Sequence, residues 1–165
     1  MEERKRKEIE YYDEQVKYFG ESSLSTLGSF RFLYRLAAPL CEDKKVLDYG
    51  CGSGAHTGFL AQHANEVVGI DLSEASLKVA EGLSHKRDDR QGSETGQKVR
   101  FLKMDCEALK FPNGSFDVVF DGGTFSSLDF HKALAEITRV LEPNGVLVGI
   151  ETFGHNPLAN LTRIQ

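Results

Sequence analysis

The sequence predicts an α/β domain built on a doubly wound, mostly parallel sheet. Three observations lead there. Five short apolar runs, at 46–49, 67–70, 99–104, 116–120 and 146–151, alternate with segments of helical periodicity. The first run leads straight into a glycine loop, VLDYGCGSGAHTG. Four of the runs carry an aspartate at or just past their carboxyl end: Asp48, Asp71, Asp105 and Asp121. In a parallel sheet with right-handed crossovers these ends point one way, toward the rim where open α/β sheets bind ligands. Such a pocket is glycine-lined and acidic, and it suits a ligand that carries positive charge.

The elements follow in order. Glu3 to Phe19 alternates charge, with Ile9, Tyr12, Val16 and Phe19 at helical spacing, and predicts a leading helix. Its basic run Arg4-Lys5-Arg6-Lys7 is flanked by Glu2, Glu3, Glu8 and Glu10 and reads as a solvated face. Leu24, Leu27, Phe30, Leu33, Tyr34 and Ala37 form a second stripe that Pro39 closes, so 1–43 reads as an N-terminal helical cap. Val46–Tyr49 is the first strand, and Ala55–Ala64 is the helix leaving the glycine loop. Val67–Ile70 is the second strand, and Ser73 caps a helix carrying Ala75, Leu77, Val79 and Ala80. From 84 to 98 the chain is polar and contains Gly92 and Gly96, which predicts a long mobile loop. Val99–Met104 is the third strand; Phe116–Phe120, after the turn Pro112-Asn113-Gly114, is the fourth. His131–Leu141 reads as a helix with Ala133, Leu134, Ile137 and Val140 inward, stopped by Pro143-Asn144-Gly145. Val146–Glu151 is the fifth strand, closing an α/β core over 44–152. Asn156-Pro157 starts another helix, with Leu158, Leu161 and Ile164 at its spacing, and 153–165 covers only its beginning. The expectation is a chain truncated after strand five, or a sheet edge completed by another subunit, with a homodimer through that edge as one form.

With 165 residues the chain is long enough for one domain with a real core. A net charge of −5 argues against nucleic acid as the main partner. No apolar run approaches the ~18 residues that span a membrane, and the charged start does not read as a signal peptide. Cys41, Cys51 and Cys106 are odd in number and lack CxxC spacing, so reduced thiols in a cytoplasmic protein are expected, with no disulfide framework and no metal site.

Gly50-Cys51-Gly52-Ser53-Gly54-Ala55 fits G-x-G-x-x-A, so a dinucleotide fingerprint has to be weighed. Asp48 stands against it. Two residues before Gly50, its carboxylate faces a pyrophosphate unfavourably and an ammonium group favourably. Asp71 follows Gly50 by about twenty residues, the spacing of an acid that hydrogen-bonds ribose, which fits any nucleoside ligand.

At this point the chain resembles the class I S-adenosylmethionine-dependent methyltransferases. VLDYGCGSG is similar to that family's first motif, VVGIDLS to its second, and FLKMDCEALKFPNGSFDVVF to its third and fourth. RVLEPNGVLVGIE is similar to the helix, turn and strand that follow. YYDEQ and GHNPLANL resemble a broad small-molecule branch of the family. The resemblance implies a Rossmann-like class I fold lacking the C-terminal strands, S-adenosylmethionine as cofactor, and methyl transfer to an oxygen or nitrogen of a small molecule. It also implies roles. Asp48 binds the methionine ammonium, directly or through water, and the backbone of Gly50, Cys51 and Gly52 packs against the cofactor. Asp71 takes the ribose hydroxyls, and Leu72 lies against the adenine. Asp105 accepts from the adenine amino group, with Cys106 and Glu107 nearby, while Asp121 and Gly122 border the methionine and the incoming substrate.

No catalytic residue follows from these motifs. Candidates for a general base are Asp121, Glu151 and His155, with His131, Tyr11 and Tyr12 as outsiders. His131 reads as exposed in the first turn of its helix, and His155 as a neighbour of an N-cap. Tyr11 and Tyr12 read equally as core aromatics or as a lid. Branches that methylate nucleic-acid bases carry Asn/Asp-Pro-Pro-aromatic after strand four. Here Asp121-Gly122-Gly123-Thr124-Phe125 stands instead, which points away from that substrate class. Ser126-Ser127 replaces the leucine-histidine-histidine segment of many small-molecule members, so histidine catalysis is not expected there. Two alternatives stay open: a non-catalytic cofactor-binding module completed by a partner subunit, and an NAD-dependent oxidoreductase, which Asp48 disfavours.

Overall fold

The structure, a computed structural model, describes residues 2–19, 28–91 and 98–151. The expected roles of Leu24 and Leu27, His155 and the helix from Asn156-Pro157 lie outside these residues. The elements are α1 (Glu3–Phe19), α2 (Gly28–Cys41), β1 (Lys45–Tyr49), α3 (Thr57–His63), β2 (Glu66–Asp71) and α4 (Glu74–Gln91). After them come β3 (Val99–Lys103), β4 (Phe116–Asp121), α5 (Phe130–Val140) and β5 (Leu141–Gly149).

All five strands are parallel, in the order β3-β2-β1-β4-β5. This is the Rossmann-like arrangement the sequence predicts. β1 is central because Val46, Leu47, Asp48 and Tyr49 are all at most 1% exposed, as a strand covered on both faces must be. Its register sets Asp48 opposite Gly69 and Phe120, and Tyr49 opposite Ile70 and Asp121. The carboxyl ends of β1, β2 and β4 are therefore level. The loops that follow Tyr49, Asp71 and Asp121 converge on one rim.

Side chains alternate across the sheet with the two-residue period of a strand. Val46, Val67, Val118 and Phe120 pack against α2 and α3 through Phe30, Leu33, Ala37, Leu60 and Ala61. Leu47, Tyr49, Val68, Ile70 and Val119 pack on the other face against Ala133, Ile137 and Val140 of α5. Each fully buried Val, Leu or Ile contributes roughly 1.5–3 kcal/mol. This burial, not propensity, holds a helix as short as the seven-residue α3. The helix-free connection from β3 to β4 is pinned by Arg139, whose guanidinium donates to the carbonyls of Leu109 and Phe111 and to Glu136.

Four local expectations are corrected. Pro39 does not close α2, which runs on to Cys41; Pro39 lies on its exposed side, where solvent can satisfy the carbonyl that a missing N–H leaves free. The stretch expected as a loop over 84–98 is helical up to Gln91. Leu77 and Ala80 anchor the start of that helix and Ser73 Oγ caps it by accepting from Ser76 N at 3.0 Å, so the polar remainder needs no apolar stripe of its own. The helix leaving the glycine loop begins at Thr57 rather than Ala55. Pro143-Asn144-Gly145 does not separate α5 from β5. Leu141 already pairs with Phe116, the chain loops out with Asn144 at φ 70°, and pairing resumes at Val146 opposite Val118.

Candidate functional site

The site is built from the turn after β1. Gly50 has φ +67°, and a Cβ there would stand 2.2 Å from Thr124 Oγ1. The Thr124 hydroxyl in turn donates to the Tyr49 carbonyl at 3.1 Å, tying the β4 loop to the end of β1. Glycine is thus required at this position twice, by backbone angle and by close approach. At Gly52, φ +51°, a Cβ would meet nothing within 4 Å, so the backbone is open to whatever approaches it.

A cavity of about 260 Å³ lies over this turn. One side is formed by Gly50, Gly52, Asp71, Leu72, Cys106 and Gly122. Thr124, Ser127 and Leu128 continue the wall, and Glu8 and Ile9 of α1 close it. Gly50, Gly52, Asp71, Leu72, Cys106 and Gly122 are the members of the sequence-predicted set that face this space. Asp48, Cys51, Asp105, Glu107 and Asp121 are not among the residues that line it.

The acids differ in what they touch. Asp48 is buried beneath the loop and accepts from Thr57 Oγ1 at 2.6 Å. Burial pushes its carboxyl up to about 7; Thr57 opposes the rise, and the charges of Asp121 and Asp71 add to it. Asp71 accepts from Gly52 N at 2.9 Å and from Ser73 N at 2.8 Å, so it joins the glycine loop to the start of α4. Its carboxyl is also raised, by burial first. Asp121 turns back into its own loop, accepting from Thr124 N at 3.0 Å and Gly123 N at 3.3 Å, and burial pushes it up to about 6. Asp105 accepts from Glu107 N at 2.9 Å through one oxygen and pairs with Lys5 Nζ at 2.6 Å through the other.

Here the reading of Arg4-Lys5-Arg6-Lys7 as a solvated face is half wrong. Arg6 and Lys7 are solvated, with side chains 61% and 69% exposed. Lys5 is 12% exposed and reaches Asp105 and Glu107, while Arg4 bonds Glu107 and the Ser127 carbonyl. Glu107 also accepts from Asp129 N at 2.7 Å. Burial alone raises its carboxyl, but Asp129 N, Lys5 and Arg4 together bring it down to about 2. The available signal was helical spacing: Arg4 with Glu8 and Lys5 with Ile9 share one face.

His56 is a second residue that pattern reading passes over. Its Nδ1 lies 2.8 Å from the Tyr34 hydroxyl, and its ring packs on Phe30 and Phe120. Burial lowers it to about 4, so it is neutral. A Cβ on Gly122 would sit 2.6 Å from this ring, so His56 sets how close the β4 loop comes to α2.

Among the other candidates, His131 is exposed in the first turn of α5, whose N-cap is Asp129. Glu151 accepts from Ser126 N at 3.0 Å, and Tyr11 is 53% exposed. The side chain of Tyr12 lies outside the described residues. Cys51 and Cys106 are buried with thiols raised above their ordinary range by burial, which leaves them unreactive.

Comparison with known proteins points one way. A family described as a methyltransferase domain matches residues 47–149, which takes in nearly all of β1 to β5 and leaves α1 and α2 outside. A demethylmenaquinone methyltransferase of Thermus thermophilus is 39% identical over 111 residues, 66% of this chain and 47% of that protein. The chain therefore spans about half the length of that relative. The S-adenosylmethionine-dependent methyltransferase of Mesorhizobium loti is 25% identical with a TM-score of 0.62, over 77% of this chain and 55% of that one. Phosphoethanolamine N-methyltransferase 1 of Haemonchus contortus, solved with phosphoethanolamine and S-adenosylhomocysteine, shares the fold at 20% identity, with a TM-score of 0.71 over 92% of this chain and 33% of that one.

Proposed function

This chain belongs to the S-adenosylmethionine-dependent methyltransferase family, and on that premise we propose that it transfers the cofactor's methyl group to an oxygen or nitrogen of a small molecule. One observation carries the reading: the cavity gathers the open backbone of Gly52, the carboxylate of Asp71 and the apolar face of Leu72 at the ends of adjacent parallel strands. This donor set fits the cofactor. Asp71 brings negative charge toward a cationic ligand, and such a ligand favours the ionised form of the buried Asp48. Among the described residues no basic side chain lines the cavity to receive a pyrophosphate.

In this reading Asp71 takes the ribose hydroxyls, Leu72 covers the adenine, and Asp105 accepts from its amino group. Asp48 acts on the methionine ammonium from beneath the loop, directly or through water. Bound S-adenosylmethionine supplies a methyl on a positively charged sulfur, so the chemistry is a direct displacement. The chain's own task is alignment, which can lower a barrier by as much as ~7–11 kcal/mol. Ile9, Leu72 and Leu128 exclude water from the cavity wall, and Gly122 borders the methionine end, where an acceptor would enter. A base is needed only for an acceptor that must lose a proton. Asp121, with both oxygens held by its own loop, shapes that loop beside the cavity. Small-molecule specificity is supported by Asp121-Gly122-Gly123-Thr124-Phe125, where base-methylating relatives carry paired prolines.

Isothermal titration tests the proposal. S-adenosylhomocysteine is expected to bind the chain and NAD is not. Tight NAD binding without any response to S-adenosylhomocysteine overturns it.

A further inference from the structure

The matched methyltransferase region excludes α1, yet α1 spans the cavity and supplies Glu8 and Ile9 to its wall. Its N-terminal turn and its middle are tied to different parts of the site. Toward the N-terminus, Arg4 and Lys5 engage Glu107, Asp105 and the Ser127 carbonyl after β3 and β4. Two turns later Asp13 accepts from the Ser73 hydroxyl at the start of α4. Among the described residues, the outward side chains Arg6 and Lys7 pair with Glu10 and Glu3 of the same helix, contacts that contribute little.

We propose that Lys5 is a positioning residue for the adenine end of the cofactor site: its ammonium, 2.6 Å from Asp105 and 2.9 Å from Glu107, orients Asp105 to accept from the adenine 6-amino group. The inference rests on the cofactor-site reading above. A carboxylate has about four lone-pair directions. Asp105 spends one on Glu107 N and one on Lys5 Nζ, which leaves each oxygen an acceptor position for an incoming N–H. Asp105 and Glu107 are like charges two residues apart, with Glu107 buried. Without an ammonium between them they repel, and Asp105 turns toward solvent. Lys5 itself stays charged: burial works against the ammonium, but the bonds to Asp105 and Glu107 outweigh it and raise its pKa. Arg4 answers the second carboxylate, so the pair is neutralised from one helix face.

The test compares S-adenosylhomocysteine with its inosine analogue, in which a 6-oxo acceptor replaces the 6-amino donor. Both are titrated into the full chain and into Lys5→Met, Lys5→Gln, Lys5→Arg, Asp105→Asn and Lys7→Met. The unmodified chain is expected to prefer the adenine ligand. Lys5→Met is expected to weaken the adenine ligand about tenfold and the inosine ligand far less, since a hydrogen bond to a charged group is being misaligned. Lys5→Gln carries the same expectation if the methionine variant does not fold. Lys5→Arg should restore the preference, and Lys7→Met, on the solvated face, should leave both affinities alone. Equal weakening of both ligands, or no change in either, overturns the role of Lys5. Asp105→Asn presents an amide donor and is expected to shift preference toward the inosine ligand; no shift removes the adenine reading of Asp105 itself. Failure of the unmodified chain to bind either ligand overturns the cofactor site and the Lys5 proposal together.

Discussion

The Thr57 hydroxyl donates a 2.6 Å hydrogen bond to Asp48, and it is the one donor that reaches this buried carboxylate among the described residues. Thr57→Val removes that donor at nearly constant volume. The variant should lose about 1–3 kcal/mol of stability in urea unfolding, the cost of a buried acceptor left unpaired. Thr57→Ser, which keeps the hydroxyl, should lose much less. Equal losses would show that the methyl group, not the bond, matters here.

The same carboxylate makes stability depend on pH. Asp48 and Asp121 rise from 3.8 to about 7 and about 6 in the folded chain, chiefly through burial. A carboxyl raised on folding keeps a proton that the unfolded chain has released. Its contribution is complete below the unfolded value and is lost as pH rises through the folded one. Glu107 runs the other way: lowered from 4.5 to about 2, it stabilises above 4.5 and loses that contribution as pH falls toward 2. The melting temperature of the ligand-free chain should therefore peak between about pH 4 and 5 and decline toward pH 8. A cationic ligand favours ionised Asp48, so its binding at pH 6 should release protons, measurable by calorimetry in buffers of different ionisation enthalpy. A profile that rises steadily to pH 8 contradicts the assignment.

Gly50→Ala places a methyl group 2.2 Å from Thr124 Oγ1 on a residue at φ +67°. The left-handed backbone costs about 1–2 kcal/mol and the overlap a further ~1–3 kcal/mol. Thr124→Gly should relieve the second part only, so the double variant is expected to be more stable than the sum of the two single changes. Strict additivity in thermal unfolding would mean that the two loops do not press on each other.

Asp71→Ala should weaken binding of S-adenosylhomocysteine by more than about tenfold, because it removes the proposed ribose acceptor and frees Gly52 N and Ser73 N from a shared partner. Thermal unfolding should show a loss of stability alongside. Unchanged affinity in titration would remove Asp71 from the site.

Much of this arrangement was legible in the chain, and particular residues show why. Gly50 after Val46–Tyr49, and Asp71 after the next strand, announce a strand-turn-helix unit because both the turn and the strand period are local properties of a few residues. The second half of α4 was not legible, since its sequence carries no apolar stripe and its polar composition resembles that of a loop. Pro143-Asn144-Gly145 reads locally as a turn, but its place in the fold is not written there. Only the pairing of Leu141 with Phe116 shows that it sits inside a strand.

The sequence by itself determined the five strands, the glycine turn and the acids that end the strands, because each is written in the spacing of neighbouring residues. Tertiary structure alone decided what those acids touch. Asp105 and Lys5 are a hundred residues apart, and nothing in either neighbourhood names the other. Their meeting depends on β2 and β3 pairing in register and on α1 settling across the loops that follow. Likewise Asp48 lies under the glycine loop, held by Thr57, because β1 is the central strand and both its faces are covered. Local periodicity specifies elements; the charges that complete a site are chosen by packing between elements far apart along the chain.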